Sequence, residues 1–148
     1  MRRLGLGLVV LLLGCRATVQ VPFSGAVSLP SVDARSTQPH GDWLRNQNDL
    51  EQLGLPLTPP DWSRFDVVVV GLGQQGTTGH RVSMERITLV NNAIVFDVHH
   101  EVPVGPVGEA LTFPGVVVQL AKGHEGRRRV VRVDGMVVPC SWGAFEAR

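Results

Sequence analysis

The chain has 148 residues, of which 43% are hydrophobic and 18% charged, and its formal net charge at pH 7 is +1. This length suits one domain with a substantial hydrophobic core. A charge so close to zero provides no electrostatic basis for binding nucleic acid, and that class of function is excluded.

The first 14 residues have the features of a cleavable secretory signal. Two arginines precede an apolar run over residues 4–13, and a helix of that length is only about 15 Å long, too short to span a bilayer. The order Leu12-Leu13-Gly14-Cys15 resembles the lipobox of bacterial lipoproteins. The resemblance implies that Cys15 is lipidated and becomes the mature N-terminus, and its acyl chains would hold the protein stably at a membrane.

Two alternatives to lipidation are an ordinary signal peptide with an incidental cysteine and a buried N-terminal strand. With lipidation, cleavage would remove two arginines and lower the net charge from +1 to about −1. Arg16 then stands where many inner-membrane lipoproteins of diderm bacteria have Asp. We therefore expect attachment on the extracytoplasmic side of the cell envelope, at the outer membrane if the host has one.

Residues 15–30 contain prolines, glycines and serines, a composition that favours a tether with some strand character. One short helix is predicted after Asn46, which can cap it, and Leu50 and Leu53 follow at helical spacing. Prolines from Pro56 onwards end this pattern.

Beyond Asp61 the patterns are those of β-strands. A valine run over 66–70 predicts a strand covered on both faces, and the alternation over 80–90 requires a bulge near Glu85-Arg86. Asn91-Asn92 and Asp134-Gly135 favour hairpin turns. Further strands are predicted over 93–102 and 116–120, around a loop at 103–110, and from Arg127 onwards.

The expected fold class is α+β, mainly an antiparallel β-sheet with one short helix. The predicted organisation is a signal peptide over 1–14, a lipidated N-terminus and tether over 15–30, and a single β-rich domain over 31–148.

An ordered set of short motifs resembles the PrcB C-terminal domain family over residues 61–122. The matching stretches are Asp61-Trp62, Asp66 to Leu72, Gly73 to His80, Val104-Gly105-Pro106 and Glu109 to Pro114. Two positions depart from the family pattern: Thr78 stands in place of a glycine and His80 in place of a tyrosine. A turn that required positive φ at residue 78 would strain the threonine.

The resemblance implies a lipid-anchored, non-catalytic accessory protein, since the family includes a lipoprotein associated with a subtilisin-like protease complex. The partner is then the membrane, through the lipid, together with another envelope protein. We expect the contact at an interaction loop whose candidate residues are Gln74, Thr77, Thr78, Gly79 and His80. The alternative function is an envelope lipoprotein that binds a metal or a small ligand through this loop with His99 and Glu101.

No catalytic residue, metal ligand or cofactor is expected. His99 and His100 are adjacent on a predicted strand and point to opposite faces, so a metal would need His80 or His124 as a further ligand. The pattern Gly71-x-Gly-x-x-Gly76 resembles a dinucleotide fingerprint, but no helix is predicted after it. Ser141 lacks the sequence context of a hydrolase nucleophile.

Arg127, Arg128 and Arg129 form a possible basic patch. The first interpretation is a solvated rim on a strand edge, and the alternative is contact with acidic headgroups or an acidic partner. Cys140 has no intramolecular partner if Cys15 is lipidated. Its apolar surroundings predict burial, and an intermolecular disulfide is the other possibility.

Overall fold

The structure, a computed structural model, describes residues 17–33 and 36–143. It contains one helix, α1 (Gln47–Leu53), and ten strands among these residues. The strands are β1 (Thr18–Gln20), β2 (Phe23–Leu29), β3 (His40–Leu44), β4 (Phe65–Gly71), β5 (Arg81–Val90), β6 (Ala93–Glu101), β7 (Gly115–Ala121), β8 (Arg128–Val133), β9 (Met136–Val138) and β10 (Ser141–Trp142).

The strands form two five-stranded sheets, ordered β1-β5-β6-β8-β9 and β10-β3-β4-β7-β2. Two strand pairs, β6 with β8 and β10 with β3, are parallel, and the other pairs are antiparallel. The prediction of a mainly antiparallel β fold with one short helix is confirmed.

The main core lies between the two sheets. Trp43 and the valines of β4 and β7 that point inward pack against the inner side chains of β5 and β6. The ring of Phe96 meets Trp43 edge-on at 6.2 Å between centroids and Trp142 at 5.8 Å. The alternate valines of β4 and β7 point outward and are covered by α1 and the leucines after it. Both faces of β4 are therefore buried, as the continuous valine run predicts.

Local signals in the sequence explain the ends of α1. The backbone N–H of Asp49 donates to the side-chain oxygen of Asn46 at 3.0 Å, which satisfies an exposed donor of the first turn. Gly54 ends the helix with φ +66°, a left-handed conformation that costs glycine little.

The bulge and both hairpins are confirmed. The register between β5 and β6 shifts between Met84 and Arg86, so that Met84 and Ile87 both point into the core. Asn91 has φ +56° and Asp134 has φ +50°, each at the first position of its hairpin turn.

The strand character expected within the tether over 15–30 is present in residues 18–29, but these strands pair within the two sheets. Thr18–Gln20 pair with Thr88–Val90 in one sheet, whereas Phe23–Leu29 pair with β7 in the other sheet, across a bulge. The chain crosses from one sheet to the other between these two strands. Val21, at the crossing, is buried, and its N–H donates to the carbonyl of Ile87. The polar and glycine positions of this segment lie on the exposed side of edge strands, where composition alone resembles a linker.

Cys15 and the signal predicted over 1–14 lie outside the described residues. No helix in the described part of the chain has the length and apolar character needed to cross a membrane.

Candidate interaction surface

Two loops meet at one end of the sandwich. The segment 72–80 joins β4 to β5, and the segment 102–114 joins β6 to β7. Gly71 pairs with Gly115 in one sheet, and Arg81 pairs with Glu101 in the other, so each loop starts beside the place where the other ends. We call residues 72–80 and 102–114 the two-loop surface.

Hydrogen bonds tie the two loops together. The N–H of Gln75 donates to the carbonyl of Thr112 at 2.7 Å, and the N–H of Thr112 donates back at 3.0 Å. The N–H of Thr78 donates to the carbonyl of Gly108, and the Gly108 N–H donates to the Thr78 hydroxyl, each at 3.0 Å. These bonds satisfy backbone groups of both loops and hold Gly108 and Thr112 against the first loop.

Thr78 is unstrained although it stands where the family has glycine. The residue with positive φ in this turn is Gly79, at +89°. Among the described non-glycine residues only Asn91 and Asp134 have positive φ, so Thr78 does not. A side chain on Gly79 would also crowd Pro103 in the opposite loop. The threonine therefore contributes a hydroxyl that bonds the second loop, which glycine would not supply.

Large apolar side chains on the second loop are exposed. Val104 is 99% exposed and Leu111 is 63% exposed, and Val102 and Val107 are also accessible. Single exposed apolar residues are ordinary, but several on one ordered loop are typical of a protein-binding surface. Gln74, on the neighbouring loop, is exposed as well.

His80, the last residue of the first loop, pairs with His100 of β6. His80 Nδ1 and His100 Nε2 lie 2.9 Å apart, and the two rings stack with centroids 5.1 Å apart. His80 Nε2 lies 2.9 Å from the Thr77 hydroxyl oxygen. Partial burial and the neighbouring His80 both lower the pKa of His100, because each disfavours a second positive charge. The pairing across 20 residues was not predicted from the sequence.

The other predicted metal residues do not meet. His99 lies on the opposite face of β6 from His100, as alternation predicts, and its Nδ1 is 2.6 Å from Asp134. That hydrogen bond raises the pKa of His99. Glu101 and His124 join no group of three potential ligands among the described residues. The loop after Gly71 leads into a strand, so the dinucleotide interpretation remains excluded.

The structure divides the arginines of the predicted basic patch between the two faces of β8. Strand β9 pairs only with Val131–Val133, so among the described residues Arg128 and Arg129 have strand partners on the β6 side alone. Alternation sends these two neighbouring arginines to opposite faces. The Arg129 guanidinium lies between Trp43 and Trp142, with its carbon 4.6 and 4.9 Å from the two ring centroids. Arg128 is exposed on the outer face, and Arg127 is partly buried.

Cys140 is partly buried and packs against the main core. Burial, with a smaller effect of the Asp42 charge, raises the pKa of its thiol to about 12. Such a thiol is almost entirely protonated near neutral pH and is therefore unreactive.

Sequence reasoning missed a group formed by Asp33, His40 and Asp42. His40 and Asp42 have the i, i+2 spacing that brings two side chains to one face of a strand. That spacing could have marked them, but Asp33 joins them only through the turn before β3.

The matched part of the chain is the part that builds the two-loop surface. Residues 67–121 match the PrcB C-terminal family. The match runs from β4 through β7 and includes both loops, so the recognised resemblance is confirmed within 61–122. No curated protein and no solved structure shows a significant match to the chain.

Proposed function

We propose that this chain is a non-catalytic, lipid-anchored accessory protein of the cell envelope that binds another envelope protein through its PrcB C-terminal domain. A secreted protease is the partner class that the family resemblance implies. The observation that carries the proposal is the two-loop surface, in which ordered backbone presents exposed apolar side chains. An ordered loop loses little conformational entropy on binding, which favours affinity.

The strand order supports attachment at the opposite end of the domain. Strand β1 begins at Thr18, three residues after Cys15, and Thr18 pairs with Val90 beside the Asn91-Asn92 turn. Strand β5 has 10 residues, so about 33 Å separates this turn from the two-loop surface. A lipid on Cys15 would therefore hold the turn near the membrane and leave the two-loop surface directed away from it.

Cationic side chains at the turn end fit the same orientation. Arg128, the first residue of β8, lies opposite Ala93 of β6. Its backbone N–H donates to the carbonyl of Asn92 in the turn. The exposed Arg128 would then lie near acidic headgroups, a contact worth about 1 kcal/mol per cation.

The Thr77–His80–His100 series argues against hydrolysis. It has the order of a hydroxyl, a base and an orienting group, but the third group in a hydrolase triad is an anion that stabilises the imidazolium. Here the third group is a second imidazole, that of His100, which is not an anion. The series therefore lacks the anionic group that a hydrolase triad requires.

Site-directed photocrosslinking on intact cells tests the binding surface. A benzophenone amino acid in place of Leu111 is expected to give one discrete crosslinked product, and mass spectrometry of that product identifies the partner. The matched control carries the same amino acid in place of Glu51, an exposed residue of α1. The proposal fails if Leu111 gives no product or if both positions give the same products.

The anchor is tested separately with Cys15→Ser. We expect this variant to leave the membrane fraction and to lose the mass of the acyl chains. A variant that stays fully membrane-bound, with no difference in modification from the unaltered protein, would refute lipidation without affecting the crosslinking result.

A further inference from the structure

A second site lies beside the two-loop surface, at the start of β3. One carboxylate oxygen each from Asp33 and Asp42 and one ring nitrogen of His40 lie within 4.8 Å of one another. They line a cleft of about 210 Å³ that includes Ser36, Ser141 and Gly143.

The burial of this group distinguishes it from an ordinary acidic surface cluster. His40 is 5% exposed and Asp42 is 4% exposed, whereas Asp33 is partly exposed at the mouth of the cleft. A buried imidazole nitrogen without a hydrogen-bond partner costs free energy.

The hydrogen bonding of His40 leaves one ring nitrogen available. His40 Nδ1 lies 3.3 Å from the carbonyl of Gln38, whereas its buried Nε2 has no hydrogen-bond partner among the described residues. A carbonyl beside Nδ1 favours the tautomer that has a hydrogen on Nδ1 and a lone pair on Nε2. Metal-bound histidines commonly have this arrangement, with the second nitrogen donating to a carbonyl.

The backbone around the cleft keeps the ring in place. His40 lies opposite Gly71 of β4, and any side chain at residue 71 would collide with the imidazole. On the other side of β3, the N–H of Gly143 donates to the carbonyl of Gly41 at 2.8 Å. Strand β4 therefore packs directly against the ring, and the second contact holds the backbone of the next residue, Gly41.

We propose that Asp33, His40 and Asp42 bind one divalent transition-metal ion, with Zn²⁺ as the probe. A nitrogen with two carboxylate oxygens is a donor set that zinc accepts, with bonds of about 2.0–2.2 Å that place tetrahedral ligands about 3.4 Å apart. Binding therefore requires a contraction of the 4.8 Å group, which the partly exposed Asp33 can supply. Three protein ligands leave a fourth position that opens to the cleft.

Donor type sets the selectivity. Imidazole nitrogen favours zinc, copper or nickel over magnesium and calcium, which prefer all-oxygen sites. Zn²⁺ is therefore expected to bind in the presence of excess Ca²⁺.

Isothermal titration of the metal-stripped full chain with Zn²⁺ tests the site. One ion is expected per chain, and Asp33→Asn and His40→Gln should each weaken binding by at least about tenfold. The matched controls are His80→Gln and His100→Gln, which alter the other histidine pair of the same end and should leave the affinity unchanged. Circular dichroism reports whether each variant folds, and Asp33→Asn decides the test if His40→Gln does not fold.

Cobalt supplies an independent readout of the ligands. Co²⁺ at this site is expected to give visible absorption bands of a four-coordinate ion without a thiolate charge-transfer band. Absence of Zn²⁺ binding, loss of binding in the His80 or His100 variants alone, or a thiolate band from a cysteine ligand would each overturn the proposal.

Discussion

Replacement of Arg129 by methionine should destabilise the protein more than the same replacement at Arg128. The two residues are adjacent on β8, but Arg129 lies between Trp43 and Trp142, whereas Arg128 is exposed. Methionine retains much of the apolar side chain, so the comparison isolates the guanidinium group.

The magnitude follows from two ring contacts and one hydrogen bond. A cation over an aromatic ring contributes about 0.5–1 kcal/mol when exposed and about 2 kcal/mol when desolvated, so two contacts of a half-buried arginine contribute about 2 kcal/mol. Arg129 Nη2 also donates to the carbonyl of Glu125 at 2.7 Å, which adds about 1 kcal/mol. Burial opposes these contributions and lowers the pKa of Arg129. We therefore expect a net loss of about 2 kcal/mol in the free energy of unfolding.

Urea denaturation of the two purified variants measures the difference. Arg129→Met should shift the transition to clearly lower urea, whereas Arg128→Met should stay within about 0.5 kcal/mol of the unaltered protein. Equal effects at the two positions would refute the packing argument and restore the interpretation of the arginines as a solvated patch.

Three further predictions concern titratable groups. Because the pKa of His100 is lowered by folding, the unfolded chain binds more protons than the folded protein around the ordinary histidine pKa, so the free energy of unfolding should fall as the pH drops from about 7 to about 5. Thermal unfolding measured at several pH values should show a flatter pH dependence for His100→Gln. His99→Gln should make the dependence steeper, because the raised pKa of His99 stabilises the folded protein at the lower pH. Lys122→Met should lower the free energy of unfolding, measured by urea denaturation, by about 2–3 kcal/mol, because it removes the cation 2.6 Å from Asp66, whose side chain is 1% exposed. Adding Asp66→Asn should recover part of this loss, and a double variant that recovers none would contradict the role of this ion pair. In a Cys15→Ser background, the Cys140 thiol, with a pKa of about 12, should react with iodoacetamide far more slowly in the folded than in the unfolded protein, and equal rates would contradict its burial.

Local features of the fold could be predicted because their signals act over a few residues. Asn46 caps α1 through a bond to a residue three positions away, and Asn91 and Asp134 each turn a hairpin within their own segment. The bulge in β5 could be predicted from the change in alternation. Apolar residues at even positions and then at odd positions of one strand can face the same core only if an extra residue is inserted between them.

Features that depend on strand neighbours could not be predicted in this way. Composition marks residues 18–29 as a tether, but their pairing partners, β5 and β7, are distant in sequence. The run at Arg127–Arg129 has the charge of a solvated rim, and only the tertiary structure places the guanidinium of Arg129 against Trp43 and Trp142.

The sequence by itself determined the class of fold, the turns and the resemblance of residues 61–122 to the PrcB C-terminal family, which matches over 67–121. Periodicity, turn chemistry and ordered motifs are local properties. It also located the loop of Gln74 to His80 and a loop at 103–110, but not the hydrogen bonds that join the two. The tertiary structure alone brought together His80 with His100 and Asp33 with His40 and Asp42. Side chains separated in the chain meet only when the strands that hold them are paired, and no local pattern specifies which strands become neighbours.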